Sequence, residues 1–573
     1  MFQYRDNVLA SIKEELKNII INAVNKAVEE KLIGSVTIPD FYVQKTDQKE
    51  HGDLSISLPL MLTRQAKMPP KQIAENIIRC IDKCDLIDHV EIAGPGFINF
   101  FLTEKWLHEV LHEIQEKDQK YGESNYGNDK KVQVEFISAN PVGPLNVVSA
   151  RAASIGDSIV NLLKAVGYNV EREFYINDAG VQVYTFAKSI NTRYCQLLGL
   201  DVEFPEDGYH GDYVKDLASE IIDEYGNKFL EVPEDERLET FRALGLKKIL
   251  DGQKQDLLEF GVEFDVWVSE KSVRDSGKMD EVLNKIYENS YSYKKDGAVW
   301  FKSTFFGDDK DRVIVKSNGE VTYMVPDLAY HLDKAQRGFQ KVIDLWGPDH
   351  HGYIARMKAG MQALGLPHDW LEILIVQQVN LLRGGESVKM SKRAGQFVTL
   401  KQLIDELSEQ VGKRFAVDVA RFFFQMRSTN AHLDFDMDLA VQQAESNPVF
   451  YIQYAHARIC SIHKQKGEKG INLLDFQNTD ISLLKESEEI ELIKKLADFP
   501  DVIYESAMNT AQHTITHYLQ ELASAFHSFY NKCKVLDTDK IELSSARFLL
   551  VNCVRTVLRN GLTLLGISAP ESM

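Results

Sequence analysis

Cysteine is scarce in this chain of 573 residues, which has only six cysteines and no two of them separated by two residues. The six positions are scattered, so neither a disulfide framework nor a zinc ribbon is indicated. We therefore expect six free thiols in a reducing compartment, and the protein is expected to be cytoplasmic.

The chain also lacks a long hydrophobic run. Its most apolar stretch, around residues 54–62, is well short of the ~18 residues that a membrane span needs. Near the N-terminus, Glu14 and Glu15 occupy positions where a secretory signal would be apolar. A soluble protein with no membrane partner is predicted.

Basic residues are outnumbered, with 66 Lys and Arg against 85 Asp and Glu and a net charge of −19. Such a protein does not bind nucleic acid through an overall basic field, so a polyanion must meet local patches, and DNA is not expected as a partner. At ~100–200 residues per domain the length suggests several folding units. The hydrophobic share of 44% supplies their cores and excludes a disordered or fibrous chain.

Hydrophobic periodicity predicts different structures at the two ends of the chain. Residues 1–120 begin with an amphipathic helical pattern and end near the apolar run at 97–102, which indicates a small α/β domain. Residues 401–573 show helical periodicity almost throughout. An all-α C-terminal domain is therefore predicted.

The middle part, residues 121–400, is predicted to be a doubly wound, Rossmann-like parallel sheet in an α/β multidomain protein. Two strand-helix-strand units are separated by an insertion at about residues 190–300. The strands are predicted at residues 132–137, 170–176, 341–346 and 371–379. Ligands of such sheets bind beyond the carboxyl ends of the strands, where the polar loops of this chain lie.

A cluster of cations follows the last of these strands. Residues 388–393 read Val-Lys-Met-Ser-Lys-Arg, between Gly384-Gly385 and Gly395. Positive charge stabilises a phosphoryl group that gains negative charge in a reaction. The alternative is a solvent-exposed basic turn, but the glycines favour a loop that closes on a ligand.

A second polar loop, residues 138–149, is predicted to turn from a strand into a helix, where backbone N–H groups offer a weak anion site. Glu135 and Asn140 flank this turn. Each also has an ordinary explanation: Glu135 can be an exposed strand residue, and Asn140 can be a turn residue before proline.

Residues 389–392 read Lys-Met-Ser-Lys, and further motifs lie at residues 175–180, 322–331, 347–352, 447–458 and 566–573. In this order along the chain, they resemble the motifs of the arginyl-tRNA synthetases, a family of class I aminoacyl-tRNA synthetases. Residues 389–392 match the lysine-loop signature of the class. The resemblance extends over almost the whole chain.

This resemblance implies that arginine attacks the α-phosphate of ATP and that the adenylate then esterifies the terminal adenosine of tRNA(Arg). ATP would enter with Mg²⁺ as a substrate complex, and no protein-bound metal site is expected. A monomer is expected, in which the N-terminal domain resembles the family module that touches the tRNA elbow.

The resemblance also assigns roles to individual residues. The catalytic residues are Asn146, Ser149, Lys389 and Lys392. The arginine-binding residues are Glu135, Ser138, Asn140, Tyr323 and Asp327. The ATP-binding residues are Gly143, Val148, Asp349, His350, His351, Met390 and Ser391. The tRNA-binding residues are Tyr451, Tyr454, Arg458 and Met573. A planar guanidinium prefers carboxylate and amide acceptors, which suits the second group.

One motif departs from the family pattern. Class I enzymes have His-x-Gly-His at the turn, whereas residues 146–149 read Asn-Val-Val-Ser. The amide of Asn146 and the hydroxyl of Ser149 can donate to a phosphate, but neither bears a positive charge. Val148 replaces a glycine that lets ATP approach the backbone. The intact lysine loop favours a working enzyme, in which Lys389 and Lys392 stabilise more of the charge.

Two other functions stay open at this point. A catalytically impaired paralogue would bind tRNA without catalysis, and a metal phosphoesterase would use residues 349–351, although no further ligand cluster has metal-site spacing. Tyr451 and Tyr454 are three apart on one helix face, so they can stack on anticodon bases or pack in the core.

Overall fold

The N-terminal part of the computed structural model, which describes residues 7–46, 48–388 and 398–573, is a four-stranded antiparallel sheet with helices. The strand order is β1-β2-β4-β3. Its strands are β1 (Gln44–Lys45), β2 (Leu54–Ile56), β3 (Ile87–Ala93) and β4 (Phe97–Leu102). Its helices are α1 (Val8–Glu29), α2 (Leu58–Ala66), α3 (Pro70–Arg79) and α4 (Lys105–Lys117).

Helix α1 shows why this part folds as predicted. The side chain of Asn7 accepts a hydrogen bond from the Ala10 N–H at 2.9 Å and caps the helix. Leu9, Ile12 and Leu16 recur at helical spacing and are buried. The small α/β unit predicted for this end is confirmed.

The central sheet has five parallel strands in the order β12-β11-β5-β6-β7. Its strands are β5 (Lys131–Glu135), β6 (Asn169–Ile176), β7 (Val266–Ser269), β11 (Lys341–Trp346) and β12 (Leu371–Ile375). Helix α5 (Val147–Ala165) connects β5 to β6, and α11 (Met324–Gln336) precedes β11. Helix α12 (Ile354–Ala363) then leads to β12. The predicted doubly wound parallel sheet is confirmed.

The single strand predicted at residues 371–379 is wrong, because the chain leaves the central sheet after Val376. Strand β13 (Val379–Arg383) belongs to another sheet, of order β14-β13-β15, with β14 (Glu386–Ser387) and β15 (Leu433–Asp436). At the break, the buried guanidinium of Arg151 binds the Gln377 carbonyl oxygen at 3.0 Å. Gly384 and Gly385, with φ of 60° and 78°, form the turn between β13 and β14.

The segment predicted as one insertion, residues 190–300, contributes β7 to the central sheet and is therefore divided. Helices α6 (Val181–Leu197), α7 (Asp212–Tyr225) and α8 (Glu234–Glu259) pack together before β7. After β7 come α9 (Glu270–Asp275), α10 (Lys278–Glu288) and a small sheet of β8 (Ser292–Lys295), β9 (Ala298–Phe301) and β10 (Arg312–Val315).

The C-terminal part is helical, as predicted. Its helices are α13 (Leu400–Val411), α14 (Lys413–Gln425), α15 (Met437–Ala440), α16 (Pro448–Glu468), α17 (Ser487–Ala497), α18 (Phe499–Met508), α19 (His513–Lys532) and α20 (Ile541–Leu564). No helix within the three described ranges is both long and apolar enough to cross a bilayer. The exact domain boundaries at residues 120 and 400 stay predictions.

A buried ion pair joins the helical part to the central sheet. The guanidinium of Arg421, on α14, lies 2.5 Å from the carboxylate of Asp157, on α5. It also donates to the carbonyl oxygen of Leu565 at 3.1 Å. The next residue, Gly566, has φ +67°, and a Cβ there would lie 2.0 Å from Arg421 Nη2. Only glycine leaves room for this contact.

We expect Gly566→Ala to destabilise the protein more than Gly226→Ala. Both glycines have positive φ, but nothing lies within 4 Å of a Cβ built at Gly226. Backbone strain should cost roughly 1–2 kcal/mol in both variants. The clash with Arg421 should cost a further ~1–3 kcal/mol in Gly566→Ala alone. Thermal unfolding midpoints measure the difference, and equal midpoints would contradict the close packing at Gly566.

Candidate active site

A cleft with a cavity volume of about 420 Å³ opens at the carboxyl ends of β5 and β11. Glu135 and Ser138 line it from the β5 side, and Tyr323 and Asp327 from α11. Asn146, Val148 and Ser149 line it from the start of α5. These residues, predicted from separate stretches of sequence, are therefore brought together by the fold, as the sheet topology predicts.

The chain turns sharply where β5 ends. Ile137 has φ 63°, the left-handed region that β-branched residues rarely adopt. This turn directs Ser138 back toward the strand, so that its hydroxyl donates to Glu135 Oε1 at 2.7 Å. Strained backbone of this kind often occurs at functional sites. Ile137 itself lines the cleft.

Glu135 is held by a buried lysine. Lys334, on α11, has 0% of its surface exposed, and its ammonium lies 2.5 Å from Glu135 Oε2 and 3.0 Å from Asp344 Oδ1. Asp344 lies on β11 and is 2.7 Å from His331 Nε2. One lysine thus links β5, β11 and α11. Since both oxygens of Glu135 have partners, Glu135 does not present two free oxygens to a guanidinium.

The pKa directions in this cluster follow from burial and charge. Burial raises the pKa of Glu135, against the opposing effect of Lys334. Burial alone would lower the pKa of Lys334, but the carboxylates of Asp344 and Glu135 outweigh it and raise that pKa. Burial likewise opposes protonation of His331, whose pKa is nevertheless raised by Asp344. Each buried charge of this cluster therefore has a partner of opposite charge, as burial requires.

Asp327 is the more available carboxylate. It lies in the first turn of α11 and forms no ion pair with another described residue. Burial raises the pKa of Asp327 to about 7, although His331 and the Tyr353 hydroxyl oppose this. The buried Tyr353 hydroxyl lies near Asp327 and lowers its pKa, although the two groups are not aligned as a regular hydrogen bond. A cationic ligand would favour the ionised form of Asp327.

The start of α5 differs from the backbone anion site that the sequence suggested. Asn146 Oδ1 caps the helix by accepting from the N–H groups of Val148 at 3.0 Å and Ser149 at 2.9 Å. The N–H of Val147 donates to the Val398 carbonyl oxygen at 3.3 Å. These backbone donors are therefore engaged. The amide nitrogen of Asn146 forms no hydrogen bond with another described residue and stays available as a donor.

Three residues predicted to bind nucleotide lie on the short helical turn Pro348–Tyr353, after β11. Asp349 and His350 line the cleft, whereas His351 does not. His350 lies 5.9 Å from Trp346, measured between ring centroids. Among residues 7–46, 48–388 and 398–573, no group of three or more His, Cys, Asp or Glu is placed to hold a metal ion.

An adjoining cavity of about 890 Å³ separates the cleft from the insertion helices. Asn140 and Gly143 line this second cavity but not the first. The amide nitrogen of Asn140 donates to Gln182 Oε1, on α6. Asn140 is thus not grouped with Glu135 and Asp327 as the sequence interpretation supposed, because the turn directs it toward the insertion.

Four predicted residues, Lys389, Met390, Ser391 and Lys392, lie outside the described part of the chain. The residues that follow this segment are close to the start of α5. The Leu400 N–H donates to the Leu145 carbonyl oxygen at 2.8 Å, beside the contact between Val147 and Val398.

The predicted tRNA-binding residues lie far along the chain on α16, apart from Met573 at the C-terminus. Tyr451 and Tyr454 are half-buried, with ring centroids 4.6 Å and 6.0 Å from that of His527, on α19. The guanidinium of Arg458 lies 4.7 Å from the ring of Tyr454 and donates to its hydroxyl at 2.5 Å. Met573 is exposed. Binding of tRNA by these residues stays a prediction, since each aromatic ring already packs against the protein.

Three family descriptions match the chain in order. Residues 14–102 match the arginyl tRNA synthetase N terminal domain, and residues 110–419 match the class I (R) tRNA synthetase catalytic domain. Residues 452–573 match the DALR anticodon binding domain. The catalytic match alone spans more than half of the chain. The chain belongs to the arginyl-tRNA synthetase family.

Individual relatives agree with this membership. The arginine–tRNA ligase of Geobacillus kaustophilus is 50% identical over 568 residues, which cover 99% of this chain and 100% of the relative. That of Caldanaerobacter subterraneus is 48% identical over 570 residues, or 99% and 100% of the two chains. The arginyl-tRNA synthetase structure from Thermus thermophilus covers 96% of this chain and 99% of its own, with a TM-score of 0.74. At 20% identity it supports the fold alone.

Sequence reasoning missed the buried partners of the cleft. Lys334 and Asp344 were not singled out, although Lys334 and His331 lie seven and four residues after Asp327 on the same helix. The signal for Lys334 is this helical spacing. The signal for Asp344 is its position as a charged residue inside an otherwise apolar strand.

We expect Lys334→Met to destabilise the protein strongly, because Glu135 and Asp344 would become unpaired buried carboxylates. The loss in free energy of unfolding should be about 3–5 kcal/mol. The control is Lys341→Met, since Lys341 pairs with Glu372 at 2.6 Å in a partly exposed position. That change should cost roughly 0–1 kcal/mol. Urea unfolding compares the two, and similar small losses would show that the cluster does not depend on Lys334.

Proposed function

We propose that this cleft is where the arginine–tRNA ligase joins L-arginine to ATP and then transfers it to tRNA(Arg). The supporting observation is that two kinds of group line one cavity. Acidic residues of β5 and α11 line it, and so do neutral polar residues at the start of α5. A cationic amino acid and a nucleotide phosphate need these two chemistries.

On the amino-acid side, Asp327 is the principal partner of the arginine cation. Its carboxylate has no ion pair within the described residues, whereas both oxygens of Glu135 are occupied by Ser138 and Lys334. Glu135 then acts through its remaining lone pairs and its charge. Tyr323, whose side chain is exposed beside the ring of Tyr353, closes this side of the cleft.

On the nucleotide side, the amide nitrogen of Asn146 donates to phosphate oxygens. The hydroxyl of Ser149, which donates to Asn146 Oδ1 at 3.3 Å, turns to do the same when a phosphate binds, while Asp349 and His350 face the nucleoside. Lys389 and Lys392 supply positive charge to the triphosphate. This role is supported by the hydrogen bonds that hold residues 398 and 400 against the start of α5. Mg²⁺ enters bound to ATP and is a substrate component in this proposal.

We further propose a cytoplasmic monomer in which the N-terminal and helical parts bind the tRNA, with Tyr454 and Arg458 at the anticodon. No observation favours an impaired paralogue, and the amide nitrogen of Asn146, which makes no hydrogen bond with another described residue, supports a donor role for the substituted tetrad. Aminoacylation of total tRNA with single labelled amino acids tests the assignment. Arginine should be charged and lysine should not, since acceptors arranged for a planar fork leave groups unpaired around an ammonium.

Replacing Asn146 by aspartate separates its two functions. Aspartate keeps the oxygen that caps α5 but lacks the amide donor, so the fold should be retained. The rate of ATP–pyrophosphate exchange should fall by roughly 10²–10³, with the KM for arginine unchanged.

The matched control is Asn7→Asp, which alters the cap of α1 far along the chain and should leave exchange unchanged. Exchange is measured with arginine, Mg-ATP and tRNA present. Full activity of Asn146→Asp would mean that Asn146 is only a cap, and an inactive wild-type chain would favour the paralogue.

Arginine use should depend on pH through Asp327. Because the pKa of Asp327 is raised to about 7, its carboxyl is mostly neutral below that pH and charged above it. The cation binds the charged form, so kcat/KM for arginine should rise with pH up to about 7 and fall roughly tenfold per unit below it. Asp327→Asn should remove this acidic limb and weaken arginine use. If kcat/KM still falls below pH 7 in Asp327→Asn, the titration of another group causes the fall.

A further inference from the structure

The turn before α5 belongs to two hydrophobic cores. The side chain of Val142 is buried among the insertion helices with Val183 and Phe186. Leu145 and Val147, only a few residues later, are buried in the main core that contains the central sheet. The turn therefore connects the insertion directly to the helix start that bears Asn146.

Two insertion side chains also hold the backbone of this turn. The hydroxyl of Tyr213, on α7, donates to the Val142 carbonyl oxygen at 2.7 Å. The amide nitrogen of Gln253, on α8, donates to the Gly143 carbonyl oxygen at 2.8 Å. Gln253 is 2% exposed, so this hydrogen bond is shielded from water. Consecutive carbonyl groups are thus fixed by two different helices.

The fit between Tyr213 and the turn is close. A Cβ at Gly143 would lie 3.2 Å from the Tyr213 hydroxyl oxygen and 3.3 Å from Cζ, so a larger residue would press on the ring. The ring of Tyr213 packs against Phe186, with centroids 6.4 Å apart. Burial raises the pKa of Tyr213, so its hydroxyl stays protonated and can donate. Neither Tyr213 nor Gln253 lines the 420 Å³ cavity.

We propose that Tyr213 and Gln253 are positioning residues for adenylate formation. By holding the carbonyls of Val142 and Gly143, they fix the start of α5 and so the donors of Asn146 and Ser149. The inference rests on the proposed roles of those two donors. A displacement of about 1 Å at a reacting group can lower a rate 10²-fold, so loss of either hydrogen bond should slow adenylate formation.

Removing each donor tests this proposal. Tyr213→Phe and Gln253→Met should each lower the maximal rate of ATP–pyrophosphate exchange roughly tenfold, with the KM for arginine unchanged, because positioning affects the transition state more than arginine binding. Exchange is measured at saturating tRNA, arginine and Mg-ATP.

The insertion offers matched controls. Tyr194 donates to the Gly226 carbonyl oxygen at 2.8 Å, and Gln196 donates to that of Val202 at 2.8 Å. Both bonds lie within the insertion and neither touches the turn. Tyr194→Phe and Gln196→Met should therefore keep the full exchange rate. An equal loss in Tyr194→Phe would mean that general damage to the insertion lowers activity, which would overturn the proposal.

A double-mutant cycle identifies the route of the effect. If Tyr213 acts through Asn146, adding Tyr213→Phe to Asn146→Ala should slow exchange little further, whereas independent effects would multiply. Multiplied effects, an unchanged Tyr213→Phe rate, or a higher KM for tRNA with normal exchange would each overturn the inference.

An active Asn146→Ala protein would instead defeat the proposed role of Asn146. An active Tyr213→Phe beside a defective Asn146→Ala would defeat only the positioning role.

Discussion

One buried ammonium group determines the geometry of the cleft. Lys334 is fully buried and pairs with Glu135 on β5 and with Asp344 on β11, while its own helix presents Tyr323 and Asp327. Removing these charges from water costs several kcal/mol per ion, so the three are stable only in contact. The contact fixes α11 against the carboxyl ends of two central strands. The distance between Glu135 on β5 and the acidic residue Asp327 on α11 is therefore fixed by this contact.

The other side of the cleft is built from neutral groups. Asn146, which lines the cavity, accepts from the backbone N–H groups at the start of α5 with its side-chain oxygen, while its amide nitrogen makes no hydrogen bond with another described residue. A phosphate would then meet side-chain donors and not the bare helix end. In the proposed function, this amide is a donor that the tetrad without histidine still offers, which makes the position of the preceding turn important.

Helix α5 also connects the cleft to the rest of the molecule. Asp157, midway along it, pairs with Arg421 of the helical part, and Arg421 binds the chain near Leu565. The N-terminal part contacts the helical part in turn, through the pair of Lys13 and Asp501 at 2.5 Å. The N-terminus of α5 thus lies at the cleft, and the middle of the same helix contacts the helical part.

The sequence by itself determined the elements whose signal is local. Helix α5 begins within the strand-to-helix turn predicted at residues 138–149, and β11 has its predicted bounds, because burial of successive residues appears directly in the apolar pattern. The resemblance also singled out Glu135, Asp327 and Asn146, which all line one cleft of the folded protein.

Only the tertiary structure decided which of these residues meet and what holds them. The strand predicted at residues 371–379 ends at Ile375, and beyond it the carbonyl of Gln377 binds Arg151, more than two hundred residues earlier in the sequence. Glu135 and Lys334 are 199 positions apart and become partners only when β5 pairs with β11. Local periodicity reports whether a residue is buried, but the partner of a buried charge depends on the register of strands distant in sequence. That register is a property of the folded molecule.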